Sequence, residues 1–171
     1  TYHRYIDNEL FEPMFNENIS NWNVTNVKNM EGLFMNLMCF NHPLNDWDVS
    51  NVENMSNMFA GCEAFDQPLD KWNVSKVTNM NRMFGATYAF YGLHICKFNQ
   101  NINNWDVSNV NDMSCMFCDC LNYDKPLDNW NLSNVKINTA MLYHTMFDES
   151  RIGLKKNEDK FHKINQVKYP L

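Results

Sequence analysis

Three cysteines lie close together at Cys115, Cys118 and Cys120, the one local cluster in this sequence with the residue types of a metal site. Structural zinc takes four Cys or His ligands in a tetrahedral arrangement, so a fourth ligand would have to come from Cys96 or His94. The spacing leaves three interpretations open: a metal site, a disulfide such as Cys96 to Cys118, or free thiols. Free thiols are favoured, because Cys120 recurs at a repeated apolar position, and we predict no metal and no cofactor.

Other catalytic chemistry is not indicated by the sequence. The five histidines stand at unrelated positions without a nucleophile motif, and there is no glycine-rich loop that could cradle a phosphate. Catalysis usually needs a group that occurs once, whereas the conspicuous residues of this chain recur. We therefore predict that the protein is not an enzyme, and we nominate no catalytic residue.

The recurring residues are five tryptophans, separated by 25, 25, 33 and 25 residues, each in a Trp-Asn/Asp-Val-Ser phrase with two single changes. A fixed period in this range is typical of stacked structural repeats. The expected repeat core consists of the tryptophans and of phenylalanines at one later position: Trp22, Trp47, Trp72, Trp105, Trp130, Phe34, Phe59, Phe84 and Phe117.

Two hydrophobic periods follow one another inside a repeat. Trp47 to Ser50 alternates apolar and polar residues, which predicts a short half-buried strand. After Asn54, a suitable N-cap, apolar residues at 55, 58, 59 and 62 predict a short helix. A unit of this size cannot bury its apolar side by itself. Neighbouring repeats are therefore expected to stack on one another.

The phrase FDQPLDKWNVSKVTNMNRMF, residues 65–84, resembles the BspA-like class of leucine-rich repeats. That class occurs in bacterial surface proteins, mycoplasma lipoprotein-associated repeats and proteins of large DNA viruses. The resemblance covers about residues 15–142. It implies an α/β fold: a right-handed, leucine-rich-repeat-like solenoid of about five 25-residue rungs, each with a short parallel strand and a short helix. It also implies surface display and adhesion, with a structural or assembly role in a virus particle as the alternative.

Three regions are predicted: an N-terminal cap or partial repeat at 1–14, the solenoid at 15–142, and a C-terminal cap or basic tail at 143–171. The long interval between tryptophans places an insertion at about residues 85–97. It carries four residues that either fold back onto the core or form an exposed contact loop. These residues are Tyr88, Phe90, Tyr91 and His94.

The polar positions of the predicted strands form a candidate partner face. Their amides and carboxylates could bond along the stack and fix its register, or bind another protein or a surface glycan. The residues of this face are Asp46, Asp48, Asn73, Asn104, Asp106 and Asn131.

The chain has 14 Lys and Arg residues and 20 Asp and Glu residues, which gives a net charge of −6. This negative charge disfavours nucleic acid as a partner. No apolar run is long enough to cross a membrane. Since the sequence opens with Thr1, a leader could have been removed, and the chain could be a segment of a longer array or part of a larger assembly. We expect the cell surface or the extracellular space for a bacterial source, and the virion or host cytoplasm for a viral one.

Overall fold

The computed structural model describes residues 5–6, 9–10, 15–86, 96–143 and 145. Two strands, β1 (Tyr5–Ile6) and β2 (Glu9–Leu10), pair antiparallel with Tyr5 opposite Leu10. They fall within the region predicted as an N-terminal cap. The described residues contain no other strand of two or more residues and no helix, and hence no helix that could cross a membrane.

Five repeats stack in phase along the rest of the described chain. We number them repeat 1 (15–39), repeat 2 (40–64), repeat 3 (65–97), repeat 4 (98–122) and repeat 5 (123–145). A single parallel bridge joins each repeat to the next, through Asn29, Asn54, Asn79, Asp112 and Ile137 in turn. Equivalent residues therefore lie over one another, as the indoles of Trp72 and Trp105 do with ring centroids 6.3 Å apart.

The predicted helix is wrong, because the segment after Asn54 is a run of turns. Within repeat 2, the Met58 N–H donates to the Met55 carbonyl at 3.2 Å, three residues back. The N–H groups that alternate with these form hydrogen bonds to the next repeat. The Asn57 N–H, for example, donates to the Asn81 carbonyl of repeat 3 at 2.8 Å. An α-helix would direct every amide to the carbonyl four residues back, so this backbone cannot be helical.

A left-handed residue in each repeat produces this alternation. This residue is the third of the four residues in the first turn after the bridge, as Asn57 is in the turn from Met55 to Met58. The φ angles in the five repeats are 62° at Gly32, 56° at Asn57, 51° at Arg82, 54° at Cys115 and 55° at Ala140. A positive φ at that position belongs to a turn and interrupts a right-handed helix. Because the turns also advance by three residues, their inward side chains keep the same spacing as one face of a helix.

The predicted strand is wrong as well. The Ser50 N–H donates to Asp48 Oδ1 at 3.1 Å, and the Val52 N–H donates to the Val49 carbonyl at 2.9 Å, so this segment is a pair of turns. Pairing between repeats lies instead at Asn54 and beyond, where a helix was expected. The right-handed α/β solenoid with strand-plus-helix rungs is therefore not the fold of this chain.

Aromatic rings fill the core in two neighbouring columns. Phe34, Phe59, Phe84 and Phe117 form the first, with consecutive centroids 5.2 to 5.6 Å apart. The second column lies beside it and consists of Phe15, Phe40, Phe65, Phe98 and Tyr123, 6.1 to 6.2 Å apart. Each first-column ring also packs on the second-column ring of the next repeat, with centroids 3.9 to 4.4 Å apart, so the aromatic contacts join adjacent repeats.

The tryptophans tie each repeat to the preceding one. The buried indole N–H groups of Trp47, Trp72, Trp105 and Trp130 donate to backbone carbonyls of Ile19, Leu44, Leu69 and Ile102, at 2.9 to 3.2 Å. The prediction that Trp22 also belongs to the core is wrong, since it is 55% exposed. In the described residues no preceding repeat covers this ring or offers it a carbonyl.

Candidate functional site

One column of the predicted partner face is built from identical Asx turns. Asn23, Asp48, Asn73, Asp106 and Asn131 each accept a hydrogen bond from the N–H two residues later, at 3.1 to 3.2 Å. Asn and Asp favour such turns because their short side chains reach that amide. All five side chains are exposed and occupy the same position in successive repeats.

The two aspartates give this column its charge. Hydrogen bonds from Ser50 and Ser108, first through their hydroxyls and then through their backbone N–H groups, lower the pKa values of Asp48 and Asp106 respectively. Both carboxylates are therefore charged at neutral pH. Since asparagines stand between and beyond them, negative charge recurs at every second repeat.

Asp46 and Asn104 belong to a second column, and both join neighbouring repeats. Asp46 Oδ1 lies 2.7 Å from Lys71 Nζ in an exposed ion pair, and this bond raises the pKa of Lys71. Asn104 Nδ2 donates to the Asp70 carbonyl at 2.6 Å. Part of the hydrogen-bonding capacity of these predicted partner residues thus serves the stack itself.

A groove of about 400 Å³ lies beside this second column, across repeats 3 to 5. Apart from one proline, its lining consists of amide and carboxyl side chains. The lining residues are Pro68, Asp70, Gln100, Asn101, Asn103, Asn104 and Asn129. Of these residues, the predicted partner face includes Asn104 alone. The signal that was available is the dense run of amides at 99–104 directly after the insertion.

Cys120 is a buried core thiol, as its place in the repeat indicated. Its S–H donates to the Phe84 carbonyl at 3.2 Å, just as the S–H of Cys62 donates to the Phe34 carbonyl at 2.7 Å. Burial raises the pKa of Cys62 to about 12 and raises that of Cys120 strongly. The thiol next to Cys120 is Cys96.

Cys115 and Cys118 form a separate, half-buried pair at the ends of one turn. The Cys118 N–H donates to the Cys115 carbonyl at 3.0 Å. A hydrogen bond from the Cys118 thiol lowers the pKa of Cys115 to about 6, and the positive charge of Arg82 acts in the same direction. The same hydrogen bond, together with burial, raises the pKa of Cys118. All six cysteines are thiols, and no three Cys, His, Asp or Glu side chains in the described chain are arranged to hold a metal ion.

We expect Cys115 to be the fastest cysteine to alkylate near neutral pH. Because its pKa is lowered, the nucleophilic thiolate is populated above about pH 6 and lost below it. Iodoacetamide labelling followed by peptide mass spectrometry should give a Cys115 rate that is half-maximal near that pH. Cys118→Ala removes the stabilising donor and should move the midpoint upward, while buried Cys62 and Cys120 stay unlabelled. A wild-type midpoint near 9.0, the ordinary value, would contradict the pairing.

The predicted contact loop, with Tyr88, Phe90, Tyr91 and His94, lies outside the described residues, as does almost all of the predicted C-terminal cap.

Comparison with known proteins gives one match. A family model described as a Mycoplasma protein of unknown function, DUF285, matches residues 7–94 and again residues 89–167. No curated protein and no solved structure matches the chain. The two tandem matches together span most of the sequence and all five repeats.

Proposed function

Because the chain belongs to the DUF285 family, a repeat family of unknown function, we propose its role from its own surface: a non-enzymatic module that binds another protein or a surface glycan. Membership confirms the resemblance to mycoplasma repeats at the level of the family. The narrower relationship to BspA-like leucine-rich repeats, and the cell-surface adhesion that it implies, are part of this proposal.

The observation that supports binding most directly is the polar groove beside the exposed columns. Its walls carry carboxyl and amide groups of Asp70, Gln100 and Asn129. A glycan or an extended peptide presents many hydrogen-bond donors and acceptors, which such walls can match. A strongly apolar ligand is disfavoured, because it would leave these polar groups without hydrogen-bond partners.

Rigidity of the surface also supports recognition. The side chains of Asp48 and Asp106 are held by Asx turns, and Asn104 is held by its bond to repeat 3. Groups that are ordered before binding lose less conformational entropy when a partner arrives. The proposed interface therefore resembles a fixed array of acceptors more than an adaptable loop.

We expect the double substitution Asp48→Asn and Asp106→Asn to weaken binding to a cationic partner at least tenfold without loosening the fold. Asparagine already occupies the same turn in repeats 1, 3 and 5, so the turn should survive while the charge is lost. The measurement is biolayer interferometry of the purified chain against immobilised lysine-rich peptides. The matched variant Asn73→Asp adds charge at the same position and should strengthen binding. Unchanged affinity in both variants would argue against a role for this column.

The groove requires a separate experiment with neutral ligands. A glycan microarray probed with the wild-type chain and with Asn129→Arg should show binding that the arginine abolishes, because the longer side chain fills the groove. Asn134→Arg, an exposed asparagine in the same repeat outside the groove lining, is the matched control. Loss of binding in both variants would indicate an effect on the repeat and not on the groove.

The alternative role in a virus particle predicts a different result. A structural component should copurify with particles at a fixed stoichiometry, whether or not the isolated chain binds a glycan or peptide.

A further inference from the structure

At every joint, at least three backbone N–H groups of one repeat donate to carbonyls of the next repeat. A smaller set donates back to the preceding repeat, as the Glu53 N–H does to the Lys28 carbonyl at 2.8 Å. The N–H groups of Met30, Gly32 and Phe34 in repeat 1 donate to the carbonyls of Asn54, Ser56 and Met58 in repeat 2, each at 2.9 Å. The same pattern recurs at the three later joints, ending with Met113, Cys115 and Phe117 donating to Ile137, Thr139 and Met141 at 2.8 to 2.9 Å. Every joint therefore places amides of one repeat against carbonyls of the next.

The two ends of the described stack are consequently complementary. Repeat 1 presents the equivalent carbonyls of Asn29, Glu31 and Leu33, none of which accepts a hydrogen bond within the part of the chain that the structure describes. We call them the acceptor edge. Repeat 5 presents the N–H groups of Asn138, Ala140 and Leu142, which donate to no described residue and form the donor edge.

The tryptophan side chains show, independently of the backbone, that the two ends of the described stack are complementary. Each later indole donates to a carbonyl in the preceding repeat, whereas the Trp22 indole has no such acceptor among the described residues. At the other end, the Leu127 carbonyl occupies the position of Ile102, which accepts from Trp130, but receives no indole from a described residue. A second copy placed with its donor edge on the acceptor edge would make both kinds of bond.

Exposed apolar surface marks the same end of the stack. Leu33 is 44% exposed, while the equivalent Met58, Met83 and Met116 are fully buried. Trp22 is 55% exposed, while Trp47 is 4% exposed. In the later repeats these positions are covered by the preceding repeat, so a preceding repeat supplied by another molecule would bury them in the same way.

We propose that this chain associates head to tail with copies of itself, the donor edge of repeat 5 in one copy docking on the acceptor edge of repeat 1 in another. Two acceptor edges placed together would set the carbonyls of Asn29, Glu31 and Leu33 against the same carbonyls of the other copy, which disfavours the symmetric arrangement. A head-to-tail contact leaves one edge unused at each end, so association continues into a filament unless the copies close into a ring.

Blocked variants test this arrangement on the 171-residue chain. Leu33→Lys with Met35→Lys places charge at the acceptor edge. Ile137→Lys with Asn138→Pro places charge at the donor edge and removes one donor. Charge and proline both oppose edge pairing. Leu121→Lys, an exposed apolar residue of repeat 4 away from both edges, is the control.

Sedimentation velocity and negative-stain microscopy provide the readout. Wild type and the Leu121 variant should form species larger than dimers as concentration rises from micromolar to millimolar, and each blocked variant should stay monomeric. An equimolar mixture of the two blocked variants should form dimers and nothing larger, because one functional edge of each kind remains. A monomeric wild type, assembly of either blocked variant alone, or a mixture that stays monomeric would overturn the proposal. Circular dichroism melts confirm that each variant is folded.

Discussion

Phe84→Ala is expected to lower the free energy of unfolding by about 3–5 kcal/mol, the usual cost of deleting a buried aromatic ring. Phe84 is almost fully buried and lies 3.9 Å from Phe98, 5.6 Å from Phe59 and 5.6 Å from Phe117, measured between ring centroids. Its removal would open a cavity where both aromatic columns and three repeats meet. Urea unfolding followed by tryptophan fluorescence measures the change.

Phe15→Ala is the matched control for this substitution. Phe15 extends the second column, but it is 40% exposed, and Phe40, at 6.2 Å, is the one described ring on which it stacks. A partly exposed ring contributes less burial, so we expect a cost of about 1 kcal/mol or less. Equal losses for the two variants would mean that ring stacking across repeats does not stabilise the centre of the chain.

The repeat period and most of the core could be predicted from sequence, because both follow from identical residues at a fixed interval. Trp47 and Phe59 are buried by their neighbours in space, and stacking supplies the same neighbours in every interior repeat. Trp22 was misassigned for the complementary reason. Its identity matches the pattern, but its burial depends on a preceding repeat that the described residues do not include.

The backbone conformation could not be predicted from the same pattern. Inward residues at Met55, Met58 and Phe59 suit a helix, and they suit successive three-residue turns equally well. What separates the two is the left-handed φ of Asn57, and non-glycine residues such as Arg82 and Cys115 also adopt it. Asparagine and glycine hint at such a conformation, but arginine and cysteine do not.

The candidate site shows the same division between local and spatial information. The Asx turns of Asp48 and Asp106 follow from residue type and local sequence, so these outward positions were predicted. The groove depends on how Asp70, Gln100 and Asn129 from three repeats are brought together, with repeat 3 lengthened by its insertion. No single repeat contains that information.

Gly85→Ala is expected to damage one joint of the stack, at a cost of about 1–3 kcal/mol from overpacking. A Cβ at Gly85 would lie 2.5 Å from the Cys115 carbonyl oxygen, closer than real contacts allow. Because the atom it meets is backbone, relief requires repeats 3 and 4 to move apart. The bonds that would lengthen include Arg82 N–H to the Ser114 carbonyl and Phe84 N–H to the Met116 carbonyl, both 2.9 Å.

Hydrogen exchange can locate this damage, since each repeat of a stacked array depends chiefly on its neighbours. The amides of Arg82 and Phe84 should exchange faster in Gly85→Ala, while those of Met30 and Phe34 at the first joint should change little. Gly32→Ala is the control: its added Cβ would lie 3.9 Å from the nearest atom, so the cost comes from its φ of 62° alone and stays within repeat 1. Uniform acceleration at every joint in Gly85→Ala would show that the five repeats unfold as one cooperative unit, and that a clash at one joint is transmitted along the whole stack.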